Sequence, residues 1–202
     1  VKVIGLMTHG PGQLHTNKTV ASLADINGLK LRIGGGVSGE AGAMLGATGI
    51  RVPAPKVYET LASNAADGVM MPMEGSKSFK LTEVAKNYYE MPGGFYRGSF
   101  ALIMNQAKFD SLPADIQEAL NGVFGEATSR MAGQEWDKMD AAGREARAAA
   151  ADNTITVASD ADQAAYATMA AKIIDGVLAE ISDKGVDAKA AYEMIKSEMA
   201  AQ

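Results

Sequence analysis

Arg32 is the side chain whose type and setting point most directly to chemistry. It alternates with apolar residues in Leu29-Lys30-Leu31-Arg32-Ile33. This period-2 run predicts a short strand and turns the arginine away from the face that Leu31 and Ile33 bury. A guanidinium is always charged, and its planar fork matches a carboxylate with two parallel hydrogen bonds. The local pattern alone favours a solvent-facing or structural arginine. Directly after the strand, Gly34, Gly36 and Gly39 spell G-x-G-x-x-G, and Glu59 follows twenty residues after Gly39. On paper this is a dinucleotide fingerprint, with glycines for a tight turn and an acid for the ribose. The fingerprint needs its acid at the end of the second strand, however, and Glu59 falls inside a predicted helix. An NAD-binding oxidoreductase fragment using Gly34, Gly36 and Gly39 is therefore the alternative reading.

Other chemistry is thinly represented. His9 and His15 are six residues apart across a Pro-Gly loop, without the helical spacing or further ligands a metal site needs. Ser38 has no nearby histidine and no Gly-x-Ser-x-Gly elbow. Met70, Met71 and Met73 suit an adaptable apolar pocket, though methionines more often fill a core. No catalytic residue, cofactor or metal is expected.

These residues need elements to hold them. Val1 to Met7 predicts a mostly apolar, buried strand, and Thr8-His9-Gly10-Pro11-Gly12-Gln13 a turn. After the Arg32 strand come a helix-like run from Glu40 to Leu45 ended by Gly46, a short strand at Ile50-Arg51-Val52 and a helix from Pro55 to Leu61. The Asn64-Ala65-Ala66-Asp67-Gly68 turn then leads into Val69-Met70-Met71-Pro72. Strand, helix, strand, helix, strand is the order of an α/β sheet, whose ligands sit beyond the carboxyl ends of the strands. Further on, Met73 to Phe79 predicts a short helix and Lys80 to Val84 a connection. Two strands follow, Tyr88 to Met91 and Gly98 to Met104. Leu112-Pro113-Ala114-Asp115 opens one long helix running towards Ala151. Ile155-Thr156-Val157 is a strand, Ser159 caps a helix whose stripe includes Tyr166, Met169, Ile173, Val177 and Ile181, and a last helix spans about Asp187 to Met199.

Bulk properties narrow the classes. The 202 residues are 47% apolar and carry a net charge of −5, enough for an ordinary core but lacking the basic stripe of a nucleic-acid binder. No apolar run reaches bilayer length. With no cysteine, disulfides and thiolate chemistry are excluded. The first residue is Val1 rather than Met, which implies an upstream stretch.

Taken together, "SLADINGLKLRI", "LGATGIRVPAPKVYETLASNAADGVMMP" and "MNQAKFDSLPADIQEAL" resemble, in order and spacing, the DctP-like solute-binding proteins of TRAP transporters. The resemblance implies an α/β lobe of the periplasmic-binding-protein type (type II) over residues 1–125, including interlobe crossover segments, and a helical C-terminal region over 126–202. It also implies a periplasmic receptor that binds a small organic acid and delivers it to a TRAP membrane permease. The arginine of the Gly-Leu-Lys-x-Arg strand, here Arg32, would then pair with the substrate carboxylate. His9, Gln13, Gly34, Gly35, Met70, Met71 and Tyr96 are the expected cleft lining. Sialic-acid-type members carry a second ligand-contacting arginine twenty residues before the first, where this chain has Gly12. They also place an asparagine where this chain has Met71. Fewer polar groups imply a smaller or more apolar carboxylate. Since family members run to about three hundred residues, most of the first lobe is expected to be absent. The stripe of the Tyr166 helix would then need another partner, and a homodimer through the C-terminal helices is expected.

Overall fold

The computed structural model describes residues 1–200. Strands β1 (Lys2–Thr8) and β2 (Gly12–Thr16) open the chain. The strand–helix alternation comes next, as β3 (Lys30–Ile33), α1 (Val37–Met44), β4 (Thr48–Arg51), α2 (Val57–Ala62) and β5 (Gly68–Pro72). Short helices α3 (Gly75–Ser78) and α4 (Leu81–Val84) precede β6 (Asn87–Glu90) and β7 (Ser99–Met104). The remainder is α5 (Gln106–Asp110), α6 (Ala114–Asn121), α7 (Glu126–Ala149), β8 (Thr154–Val157), α8 (Asp160–Ser182) and α9 (Ala188–Ala200).

Six strands make one mixed sheet in the order β4-β3-β5-β2-β6-β8. Strand β3 is parallel to both β4 and β5, as two helical crossovers require. Alternation of side chains along each strand divides the core in two. Leu14, Leu31, Ile33, Met70 and Tyr89 pack with Tyr166 and Ile173 of α8. Val69 and Met71 face the other way, with Val57, Leu61 and Leu81. Arg32 shares this second face, opposite Val69 in register.

Five expectations need correction. Strand β1 is not buried: it pairs only with β7, in a separate antiparallel ribbon. Helix α7 covers one side of that ribbon, and Val3, Leu6, Leu102 and Ile103 remain exposed. The supposed turn residues Gly12 and Gln13 begin β2, which pairs with both β5 and β6 and is buried throughout. The segment after Lys80 is a helical turn, α4, and not an irregular connection. The long helix is two helices, because the backbone turns at Gly125 (φ +86°) between α6 and α7. Finally, the α8 stripe has its partner within this chain: Tyr166 and Ile173 are buried in the core, with Met169 and Val177 packed beside them. The Ser159 cap is present, its hydroxyl accepting from the Asp162 amide.

Candidate functional site

Beyond the carboxyl ends of β3 and β5 lies a cavity of about 470 Å³. Arg32, one residue before the end of β3, lines it and is only 6% exposed. Its Nε donates to the Val52 carbonyl at 2.9 Å. Among the described residues it has no other hydrogen bond and no paired carboxylate. Burial lowers its pKa from the usual arginine value, an effect that Tyr96 opposes. The terminal nitrogens of this buried, cavity-lining guanidinium therefore have no hydrogen-bond partner among the described residues. Charged donors left so are costly in low dielectric and bind an anion strongly when one is offered.

Much of the remaining cavity wall is aromatic. Phe100 of β7 and Trp136 of α7 stack with centroids 5.9 Å apart and planes 17° apart. His9 meets Tyr96 edge-on at 5.2 Å and Trp136 at 6.1 Å. Both ring nitrogens of His9 are engaged, Nδ1 with the Gly10 carbonyl (2.5 Å) and Nε2 as acceptor from the Gly98 amide (3.0 Å). That pattern leaves the ring no free nitrogen for a metal. The Tyr96 hydroxyl donates to the Met70 carbonyl at 3.1 Å, and burial pushes it up to about 12, Arg32 drawing it back. The Tyr96 ring lies on Gly12: a Cβ there would meet ring carbon Cε1 at 2.1 Å. The site of any larger residue at position 12 is thus taken by the aromatic wall.

One acid also lines the cavity. Glu74 is 4% exposed, and its Oε2 is buried with no hydrogen-bond partner among the described residues. Burial first, and then the charge of Asp140, raise its carboxyl above the usual range, against a lowering hydrogen bond from Ser78. Asp140 of α7 accepts from the Glu74 amide at 2.7 Å and is itself raised by burial.

Of the residues singled out in the sequence, the cavity brings together His9, Arg32, Gly34, Gly35, Met71 and Tyr96. It does not include Met70 or Gln13. Met70 points through the sheet into the core beneath α1, as its alternation with Met71 demands. The Gln13 amide clasps Met91, donating to its carbonyl (2.9 Å) and accepting from its amide (2.8 Å). Sequence reasoning missed Glu74, Phe100 and Trp136 as lining residues. An isolated carboxylate ending the run Val69 to Met73, and the chain's sole tryptophan, were the available signals. The nucleotide alternative has no acid in place: Glu59 lies on α2, exposed and paired with Lys56. His15 is remote from His9, buried against Arg147, and among the described residues no three metal-ligating side chains converge.

Against known proteins, the sequence matches the DctP family, described as bacterial extracellular solute-binding protein, family 7, over residues 1–180. The fold is similar to that of a TRAP periplasmic solute-binding protein from Bordetella bronchiseptica with bound (R)- and (S)-mandelate. The two share 34% identity with a TM-score of 0.94, over 100% of this chain and 64% of that one. A marine metagenome TRAP solute-binding protein specific for aromatic acid ligands, in complex with 3-hydroxybenzoate, shares 30% identity with a TM-score of 0.90, over 99% of this chain and 63% of that one. A third, from Rhodoferax ferrireducens T118 with benzoate, shares 30% identity with a TM-score of 0.83, over 93% and 59%. This chain therefore spans less than two thirds of the length of each.

Proposed function

This chain belongs to the bacterial extracellular solute-binding proteins of family 7, the DctP family, and from that premise we propose that it binds a small aromatic carboxylic acid, anchored by Arg32, for a TRAP membrane permease. The observation that carries the reading is the buried Arg32 guanidinium, with no carboxylate paired to it among the described residues, facing a cavity walled by Tyr96, Phe100 and Trp136. An acid of this class presents two unlike ends. Its carboxylate matches the arginine fork, and its ring matches the apolar wall, where aromatic contacts add about 0.5–1.5 kcal/mol beyond area burial. The mandelate, 3-hydroxybenzoate and benzoate held by the three similar proteins are acids of this kind, which supports the assignment. The family is one of binding proteins and not of enzymes, so the role is capture and release. The periplasm is the compartment the proposal assigns, as for the Bordetella protein. No helix among the described residues is long and apolar enough to cross a membrane. Self-association through the C-terminal helices is not part of the proposal, because α8 already buries its stripe within the chain.

A thermal-shift panel of benzoate, mandelate, succinate, a sugar acid and NAD tests it, since a ligand that binds only the folded state raises Tm with concentration. The expected result is a shift with an aromatic monocarboxylate that Arg32→Ala abolishes while the variant stays folded. A shift with the sugar acid alone, or with NAD alone, would overturn the reading.

A further inference from the structure

The cavity holds an acid where its proposed ligand is itself an anion. Glu74 is nine-tenths buried, lines the same cavity as Arg32, and keeps one carboxylate oxygen without a hydrogen-bond partner among the described residues. A loosely placed surface glutamate would turn to solvent, but this one is held by its backbone. Its amide donates to Asp140 Oδ1 at 2.7 Å, and α7 closes on the Met73–Glu74 peptide at Gly143. A Cβ at residue 143 would stand 2.2 Å from the Met73 carbonyl oxygen and 2.9 Å from the Glu74 Cα. Only a glycine lets the helix approach so closely. The fold thus fixes an acid beside an anion-binding cavity, where it would repel a plain carboxylate and leave its own acceptor unsatisfied.

Resting on the aromatic-acid reading above, we propose that Glu74 is a specificity-determining residue that accepts a hydrogen bond from a hydroxyl on the ligand, so that the cavity selects hydroxylated aromatic acids over their bare counterparts. Arg32 reads the carboxylate, the aromatic wall takes the ring, and the ligand hydroxyl donates its hydrogen bond to the Glu74 carboxylate. With a bare acid bound, the buried acceptor remains unpaired, and that is the physical basis of discrimination. A site built to hydrogen-bond a hydroxyl rejects the analogue lacking it far more strongly than an apolar pocket rejects an added group.

Calorimetric titration with two matched pairs, 3-hydroxybenzoate against benzoate and mandelate against phenylacetate, tests this on the wild-type protein and on Glu74→Leu and Glu74→Gln. In the wild type, the hydroxylated member of at least one pair is expected to bind about tenfold tighter, the scale of one hydrogen bond to a charged group. In Glu74→Leu that preference falls to within about threefold, with benzoate bound as well as before or better. Glu74→Gln, which retains an acceptor, keeps part of the preference. Equal binding within both pairs by the wild type overturns the role of Glu74 and leaves the aromatic-acid reading standing, whether or not the leucine variant folds. A preference that survives in Glu74→Leu also overturns it. If no aromatic acid binds the wild type at all, the functional reading itself has failed, and the inference fails with it.

Discussion

Among the described residues two arginines are buried, and neither forms a salt bridge. Arg147, on α7, is 1% exposed, and all three of its guanidinium nitrogens are engaged by protein groups. Its Nε donates to Ser76 Oγ (3.1 Å), Nη1 to the Ala85 carbonyl (3.0 Å) and Asn153 Oδ1 (2.8 Å), and Nη2 meets His15 Nδ1 (3.1 Å). The guanidinium also lies 5.2 Å from the centroid of the Tyr88 ring. Arg32 is nearly as buried but has one bond, to Val52. The same side chain is a structural bolt where its donors are taken and, in the function proposed above, a ligand anchor where they are not. Burial alone does not separate these roles; the count of satisfied donors does.

The sharpest way to break that distinction is to remove Arg147. Arg147→Met would relieve a buried, unpaired charge, which favours the variant. It also leaves up to four buried acceptors without donors, at about 1–3 kcal/mol each. The second effect wins, and a loss of about 4 kcal/mol is expected, lowering Tm by on the order of 10 °C. A loss below about 1 kcal/mol by urea denaturation would mean the network holds nothing together.

Arg32→Met should behave in the opposite way. Only the Val52 carbonyl loses a partner, so stability should stay within about 1 kcal/mol of the wild type. Affinity for an aromatic carboxylate should drop at least about a hundredfold, the loss of two charge-assisted hydrogen bonds. If Arg32→Met instead unfolds the protein as Arg147→Met does, the two arginines are alike and the anchor reading is lost.

Acid separates the regions again. His15, wholly buried beside Arg147, has its pKa lowered to about 3 by burial first and then by the arginine's charge. An unfolded histidine takes up a proton near pH 6.5 and the folded one does not. Its contribution is therefore complete above that value and is lost as pH falls towards 3. Glu74 and Asp140 at the cavity are shifted upward by burial. They bind protons in the folded state before the unfolded chain does, so they gain stability as pH falls and partly mask the histidine. His15→Asn keeps an acceptor for Arg147 and cannot titrate. Between pH 6.5 and 4.5, wild-type stability should fall relative to this variant by roughly 2–3 kcal/mol. A difference that is flat with pH would contradict a neutral buried His15.

What the sequence disclosed follows the range of the forces involved. The β3-to-β5 alternation was legible because period-2 and helical spacing are local, and Ser159 announced its helix by cap chemistry alone. Strand β2 was hidden because Gly12-Gln13-Leu14-His15-Thr16 is polar. Its burial depends on partners as far away in the chain as Met91, Asp67 and Arg147. Arg147 drew no notice in the sequence, since nothing nearby along the helix shows Ser76 or Ala85 closing over it. Arg32 stood out as a fork on a strand, but only the family resemblance gave it a ligand. Glu74 was overlooked for a related reason: a lone acid at the start of a short helix looks solvated until α7 is seen to cover it.

The smallest expected effect tests how far the cavity wall is merely a wall. The Tyr96 hydroxyl bonds the Met70 carbonyl, a group of the protein backbone. Its ring, against His9 and over Gly12, is what lines the cavity. Tyr96→Phe keeps the ring and removes only that bond, so it should cost about 0.5–1.5 kcal/mol of stability and change aromatic-acid affinity less than about threefold. The stability loss places the hydroxyl with Arg147, among groups satisfied by protein, and the retained affinity places the ring with Arg32. A tenfold loss of affinity with stability unchanged would reverse both assignments. The hydroxyl would then be a second reader of the carboxylate, and the arginine would no longer be its sole anchor.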